Sequence, residues 1–192
     1  MFNFYILGYK SNDYKPLFCQ GHHIGLVSRD VEVELLPYND IFVIHPTKID
    51  LCPGIISYEE ISAQVARVLS ALREKNKFTA LKGWRNETFE IKPSYGQPAL
   101  FAMERAATCM FGLRQYGCDV NGYVVNEDGS LSVWMQRRSL NKPTWPGKLD
   151  NFVAGGLSSG YSIRETVIKE TEEEASLPRH IAERMEPAGC VR

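Results

Sequence analysis

Residues 155–177 read GGLSSGYSIRETVIKETEEEASL, and this stretch decides how the second half of the chain is interpreted. Two glycines and a short polar loop come first, and Ser162 follows with Glu165 three residues later. This spacing is typical of a capping box, in which each side chain accepts a hydrogen bond from the other residue's backbone N–H. The pattern therefore predicts a loop followed by a well-defined helix that begins after Ser162.

The predicted helix carries three glutamates at i, i+3 and i+4 spacing, which are Glu170, Glu173 and Glu174. Residues at this spacing lie on one face, where each like-charged pair destabilises an exposed helix by roughly a few tenths of a kcal/mol. A divalent cation would offset this repulsion, and carboxylate oxygens favour Mg²⁺ or Mn²⁺. These ions commonly complete their shell with substrate phosphates, so the face predicts diphosphate chemistry. The alternative is a solvent-exposed acidic face without a ligand.

The same stretch resembles the Nudix box, the loop-and-helix signature of the Nudix hydrolases, usually written G-x5-E-x7-R-E-U-x-E-E-x-G-U with U a bulky aliphatic residue. Gly155 matches the first glycine, Leu177 matches the closing aliphatic residue, and the three glutamates match those of the helix. Four residues depart from the pattern: Tyr161 replaces a glutamate, Lys169 the arginine, Thr171 an aliphatic residue and Ser176 the last glycine.

The resemblance implies a pyrophosphohydrolase in which Glu170, Glu173 and Glu174 hold the metal ion, Mg²⁺ or Mn²⁺, and take part in catalysis. In this family the general base is either a glutamate of the box or an acid from a later loop, and we expect Glu173 to take that role. Lys169 stands where the family's arginine orients a glutamate, and it supplies a point charge in place of a planar fork. The expected product is a monophosphate.

Residues 134–156, WMQRRSLNKPTWPGKLDNFVAGG, resemble two Nudix subgroups. In the isopentenyl-diphosphate isomerases a similar series leads to a catalytic cysteine beside a histidine, whereas residues 151–155 contain neither, so that chemistry lacks its acid and base. The closer resemblance covers nearly the whole chain and is to the thiamine-pyrophosphokinase-related Nudix hydrolases. It implies hydrolysis of thiamine diphosphate, or of its oxidised or damaged analogues, to monophosphates. Five segments carry it: 81–91, 103–124, 131–139, 142–156 and 168–178.

Five residues are expected to bind the substrate: Gly155, Gly156, Arg138, Lys142 and Trp84. Arg138 and its neighbour Arg137 end a predicted strand and face opposite sides, so at most one of them points at the site. Arg138 and Lys142 could meet diphosphate oxygens, and the alternative is a surface strand end. Trp84 could stack on a substrate ring, although tryptophan is more often a core residue.

The first half of the chain predicts alternating strands and helices. Residues 41–44, IFVI, form a short apolar run typical of a buried strand. Residues 57–75 carry apolar side chains at helical spacing behind a capping serine. Further predicted elements are a strand over residues 84–91 and a second amphipathic helix over residues 98–113.

A change of pattern near residue 117 predicts two domains, residues 1–116 and 117–192. The second begins with two strands joined by the turn Asn126–Glu127–Asp128–Gly129. We predict an α/β (α+β) fold class, with an N-terminal α+β domain. The resemblance implies that the first part of a Nudix α/β/α sandwich with a mixed sheet follows it.

Composition bears on the expected partners and location of the protein. The chain has 192 residues, with 22 Lys and Arg against 23 Asp and Glu, so charge gives no reason to expect a nucleic acid or anionic membrane partner. Five widely spaced cysteines without a Cys-x-x-Cys pair suit a reducing cytosol, and their side chains are expected to act as small apolar groups. The first fifteen residues lack a targeting pattern, so we expect a cytoplasmic protein with a small-molecule diphosphate substrate.

The end of the chain leaves two hypotheses open. In the Nudix family the domain normally continues for further strands and a second helix beyond the box, whereas this sequence ends at Arg192. The chain could be an active diphosphohydrolase with its glutamate triad intact. It could instead be a truncated, non-catalytic Nudix-domain form that acts as a binding or interaction module.

Overall fold

The chain forms two compact units, residues 1–115 and 116–192. A computed structural model describes residues 13–55, 57–142 and 145–190. Each unit combines strands with helices, which confirms the predicted α+β class. None of the helices that these described residues form has the length and apolar character needed to cross a lipid bilayer.

The first unit contains a four-stranded sheet. Its strands are β1 (Tyr14–Cys19), β2 (His22–Ser28), β3 (Phe42–Ile44) and β4 (Ile49–Leu51), in the order β2-β1-β4-β3. β1 and β4 run parallel, and the other two pairs are antiparallel. The short helix α1 (Arg29–Leu35) follows β2. β3 lies within the apolar run that predicted a buried strand.

The helix α2 (Tyr58–Glu74) supplies much of the core of this unit. It begins after Ser57, whose side chain accepts a hydrogen bond from the backbone N–H of Glu60, as the sequence predicts. α2 packs against β6 (Phe101–Glu104), which pairs antiparallel with β5 (Thr88–Ile91). Its buried residues share one helical stripe: Ile61, Val65, Val68, Leu69 and Leu72.

The amphipathic helix predicted over residues 98–113 is wrong. This segment forms β6 and then a 3-10 helix, Arg105–Phe111. Phe101 and Met103 are buried while Ala102 between them is half-buried, and this alternation suits a strand that pairs with β5. Pairing with β5 and burial of Phe101 therefore determine the structure of this segment, despite the helical spacing of its apolar residues.

Two buried thiols lie close together in this unit. Cys19 ends β1 opposite Leu51 in the parallel register, and Cys52 follows β4 directly. Burial raises the pKa of Cys19 to about 12 and that of Cys52 to about 11. Both thiols are free and pack as small apolar groups, as predicted.

The second unit contains three two-stranded antiparallel ladders among its described residues. The hairpin joins β8 (Tyr123–Val125) to β9 (Leu131–Val133) through the predicted turn. β7 (Gly117–Val120) pairs with β12 (Val153–Gly156), and β10 (Gln136–Arg137) pairs with β11 (Leu149–Asp150). The helix α3 (Ile163–Ala175) packs against β12 and β7, and α4 (Arg179–Ala182) follows.

Candidate active site

The helix α3 begins as the sequence predicts. Both hydrogen bonds of the capping box are present: the Glu165 backbone N–H donates to Ser162 Oγ at 3.2 Å, and the Ser162 backbone N–H donates to Glu165 Oε2 at 2.8 Å. These bonds satisfy donors that the first helical turn would otherwise leave unpaired. The start of α3 is therefore fixed directly after the glycine loop.

Three of the four departures from the Nudix pattern are Thr171 and Ser176, toward the C-terminal end of α3, and Tyr161, just before the helix begins. Thr171, in place of an aliphatic residue, is fully buried, and its hydroxyl donates to Met185 Sδ at 4.0 Å. Ser176, in place of a glycine, ends the helix with φ +52° in the left-handed region. Glycine reaches that region without steric cost, so serine keeps the same helix end at a cost in strain. Tyr161, in place of a glutamate, is 47% exposed.

Gly155 lies directly under Glu170. A Cβ atom on Gly155 would overlap Cγ and Cδ of Glu170 and lie 2.8 Å from its Oε1. Glu170 is accordingly well covered, with only 15% of its side chain exposed. β12 therefore positions this carboxylate by leaving the space that any other residue would fill.

Lys169 joins two of the predicted site glutamates. Its Nζ lies 3.2 Å from Glu170 Oε1 and 3.3 Å from Glu173 Oε2. Burial lowers the pKa of Lys169, but the hydrogen bonds and charges of the two carboxylates outweigh burial, so the net pKa is raised. The lysine ammonium thus balances part of the charge of this helix face.

Glu174 has different partners. Its Oε2 accepts hydrogen bonds from Gln136 Nε2 at 3.1 Å and from the Ala154 backbone N–H at 3.4 Å. Its Oε1 lies 4.0 Å from Lys142 Nζ. Glu174 therefore ties α3 to β12 and β10, and Lys142 approaches the same acidic face.

The donor set fits a hard divalent cation by its chemistry, because three carboxylates stand on one helix face. The Lys169 ammonium already shares two of these carboxylates. Their conformation differs from that of a closed metal site. Among the residues that the structure describes, no three His, Cys, Asp or Glu side chains converge so that they could hold a metal ion. The metal-ligand role of the three glutamates stays a prediction.

The structure separates the two neighbouring arginines as the sequence predicts. Arg137 Nη1 donates to the Gly147 carbonyl at 2.8 Å, and Arg138 Nη1 donates to Asp150 Oδ2 at 2.6 Å. The Arg138 guanidinium thus already binds a carboxylate, so a substrate phosphate would compete with Asp150 for it. Its role as a substrate ligand stays a prediction.

The other predicted substrate residues lie in both units. Gly156 ends β12 beside Gly155 and pairs with Gly117. Trp84 belongs to the first unit, where the Arg73 guanidinium lies 4.8 Å from its ring centroid and its Nε1 donates to Asn86 Oδ1 at 2.9 Å. The substrate-binding roles of Gly156 and Trp84 stay predictions.

The ion pair between Arg138 and Asp150 predicts a specific acid sensitivity. The hydrogen bond from Arg138 holds the pKa of Asp150 below its ordinary value, outweighing burial. A folded pKa below the unfolded one gives stability that is present above about pH 4, the ordinary aspartate pKa, and is lost as the pH falls through the folded pKa. We expect Asp150→Asn to lose less stability than the wild type between about pH 5 and pH 3.

Urea unfolding at a series of pH values measures this difference. Both side chains are about a quarter exposed, so the effect is expected to be small. Glu127→Gln, which removes one exposed carboxylate from the β8–β9 turn, is the control and should follow the wild type. Equal acid sensitivity of Asp150→Asn and the wild type would contradict the prediction.

Sequence reasoning missed three groups that meet the site glutamates or their neighbours: Gln136, Asp150 and the backbone N–H of Ala154. Gln136 and Asp150 stand opposite each other in the ladder of β10 and β11. A glutamine and an aspartate in a polar stretch have no distinctive spacing, so the sequence does not indicate that Gln136 contacts α3 or that Asp150 binds Arg138.

Both halves of the chain match known family models. A family model described as a domain of unknown function, DUF4743, matches residues 1–115, and the NUDIX domain model matches residues 116–191. Nudix hydrolase 24, chloroplastic, of Arabidopsis thaliana is 38% identical over 184 residues, which are 95% of this chain and 49% of that protein. Nudix hydrolase 20, chloroplastic, of the same plant is 35% identical over 194 residues, 95% of this chain and 50% of that protein.

The likeness extends beyond plants. An uncharacterized protein of Saccharomyces cerevisiae is 40% identical over 110 residues, which are 57% of this chain and 32% of that protein. The chain spans about half the length of the two Arabidopsis relatives.

The predicted cytoplasmic location is contradicted, because both Arabidopsis relatives are named as chloroplastic and so point to a plastid. The prediction depended on the composition of the first fifteen residues and on the widely spaced cysteines. That composition carries too little information to identify a compartment.

Proposed function

Because the chain belongs to the DUF4743 family and joins a Nudix domain to that N-terminal domain, we propose that it hydrolyses a diphosphate bond in a small organic substrate, with Mg²⁺ or Mn²⁺ as cofactor. The observation that carries the proposal is the placement of Glu170, Glu173 and Glu174 on one face of α3, directly beside the glycines of β12. A helix face of this kind attracts a hard cation and, with it, a phosphate group.

The three glutamates would hold the metal, which when bound polarises the diphosphate and lowers the pKa of water. Glu173 is the most exposed of the three, with 59% of its side chain accessible against 15% for Glu170 and 24% for Glu174. Its accessible carboxylate can accept a proton from a water molecule that approaches the substrate, which supports Glu173 as the general base. The covered carboxylate of Glu170 suits a fixed ligand better.

Lys142 is better placed than Arg138 to meet the diphosphate. Its Nζ lies 4.0 Å from Glu174 Oε1, beyond hydrogen-bond distance, whereas Arg138 makes a 2.6 Å bond to Asp150. A lysine ammonium at the edge of an acidic face can turn toward an incoming phosphate oxygen. We assign Lys142 the role of first substrate contact; the same role for Arg138 requires its guanidinium to leave Asp150.

For the substrate we propose thiamine diphosphate or its oxidised or damaged analogues, which would be cleaved to monophosphates. This choice rests on the resemblance of segments in both units to the thiamine-pyrophosphokinase-related Nudix hydrolases. It predicts that a thiamine-like diphosphate is turned over faster than a nucleoside diphosphate.

The test is phosphate-product release by the purified protein with Mg²⁺ or Mn²⁺. Thiamine diphosphate, an oxidised analogue and ADP serve as substrates. We expect Glu173→Gln to lower the rate at least about 100-fold, since a positioned general base contributes about that much or more. Glu127→Gln removes an exposed carboxylate from the β8–β9 turn and should keep the wild-type rate.

Two results would contradict the proposal. The first is no product from any of the three substrates with either metal ion. The second is a Glu173→Gln variant as fast as the wild type. If ADP is cleaved fastest, the diphosphohydrolase assignment stands and the thiamine assignment fails.

A further inference from the structure

The carboxylate of Glu174 is held from one side only. Its Oε2 accepts both of its short hydrogen bonds, at 3.1 Å from Gln136 Nε2 and at 3.4 Å from the Ala154 backbone N–H. Its Oε1 faces Lys142 Nζ at 4.0 Å, which is too long for a hydrogen bond. One oxygen is thus fixed by donors, and the other makes only the longer approach to Lys142 among the contacts given for Glu174.

The donors of Glu174 are neutral, and this distinguishes it from the other two glutamates. Glu170 and Glu173 are each paired with the ammonium of Lys169, which cancels part of their charge. An amide and a backbone N–H orient a carboxylate while leaving its full negative charge in place. Glu174 therefore has a fixed orientation, and the ammonium that faces it, Lys142 Nζ, lies at 4.0 Å, farther than Lys169 Nζ lies from the other two glutamates.

The fold holds Gln136 in place to make this contact. Gln136 lies on β10 and is half-buried, opposite Asp150 on β11. Asp150 is in turn bound by Arg138, two residues after Gln136, so this ion pair links the end of β10 to β11 beside the glutamine. A donor on a paired strand moves less than one on a loop, so the Gln136 amide holds the Glu174 carboxylate in a more precise position.

From this geometry we infer that Gln136 is a positioning residue for the metal site: its side-chain amide fixes Glu174 Oε2 and so directs Oε1 toward the cation. The inference rests on the proposed function, in which Glu174 is a metal ligand. It assigns a role to a residue that lies outside the Nudix box.

The test is Mn²⁺ binding to the purified protein without substrate. The electron paramagnetic resonance signal of the free ion measures how much Mn²⁺ remains unbound. We expect Gln136→Leu, which keeps the size of the side chain and removes its donor, to weaken Mn²⁺ binding by about 10-fold, as loss of a ligand's hydrogen-bond partner typically does. Arg137→Leu is the matched control, since it places the same apolar side chain on the opposite face of β10, and its affinity should stay within about 2-fold of the wild type.

A double-mutant cycle separates positioning from a general structural effect. In the Glu174→Gln background the carboxylate that Gln136 orients no longer exists as a charged ligand, so Gln136→Leu should cause no further loss of Mn²⁺ affinity. An additive loss in the double variant would overturn the inference. If Gln136→Leu lowers the thermal unfolding midpoint, Gln136→Asn gives the same comparison. Its side chain is one methylene shorter, so its amide cannot reach Glu174 Oε2, which lies 3.1 Å from the glutamine Nε2.

The remaining outcomes distinguish this inference from the proposed function. If Glu174→Gln weakens Mn²⁺ binding and Gln136→Leu does not, the positioning role is wrong and the metal role of Glu174 stands. If the wild type does not bind Mn²⁺, both are wrong.

Discussion

Replacing Gly155 with alanine is expected to lower the rate of diphosphate hydrolysis about 100-fold, because a displacement of about 1 Å at a catalytic group can have that effect. The new Cβ atom would overlap Cγ and Cδ of Glu170. Those atoms belong to a flexible side chain, so Glu170 can rotate away. The main consequence is therefore a misplaced carboxylate, and the stability loss is expected to be only about 1 kcal/mol, at the low end for overpacking.

Rate measurements and urea unfolding of the same variant separate the two effects. Gly122→Ala is the matched control in the second unit, because its Cβ would meet Phe152 and Trp134 no closer than 3.4 Å. We expect that variant to keep both its rate and its stability. A Gly155→Ala protein with the wild-type rate would mean that the position of Glu170 does not matter for the reaction.

The second large effect concerns stability alone. Gly25→Ala is expected to destabilise the first unit by about 3 kcal/mol, at the upper end for overpacking. A Cβ atom on Gly25 would overlap the carbonyl oxygen of Phe111, lie 2.9 Å from Leu113 Cδ2 and lie 3.2 Å from the carbonyl oxygen of Gly112. Two of these neighbours are backbone atoms, so no side-chain rotation relieves the overlap.

Denaturant unfolding of the whole chain measures this loss. Gly83→Ala serves as the control, since a Cβ atom there would have no neighbour within 4 Å and the backbone of Gly83 is not in the left-handed region. An unfolding midpoint of Gly25→Ala equal to that of the wild type would show that β2 and the 3-10 segment after β6 can move apart.

The features that sequence could predict are those set by local chemistry. The N-caps at Ser57 and Ser162, of which the second is a full capping box with Glu165, depend on residues three positions apart, and both helices begin where these residues predict. The β8–β9 turn likewise depends on a glycine with φ +80° at position 129. Such features need no information about the rest of the fold.

The features that sequence missed depend on pairing between distant segments. The apolar residues of segment 98–113 have a spacing that suits a helix, whereas Phe101 and Met103 alternate as in a strand, and only the partner strand β5 decides between the two. The contact of Gln136 with Glu174 spans 38 residues and depends on the register of two short strands. Neither partner carries a local signal of that contact.

The acidic face of α3 also carries its own counterions, and this changes the relation between folding and cofactor loading. Like-charge repulsion suggested that α3 needs a metal ion to be stable. Lys169 lies within 3.3 Å of two of the glutamates, and neutral donors satisfy the third. The helix can therefore assemble before any metal arrives, unlike small domains whose folding depends on the ion. Under the proposed function, removing the metal ion is therefore expected to abolish diphosphate hydrolysis without unfolding the protein.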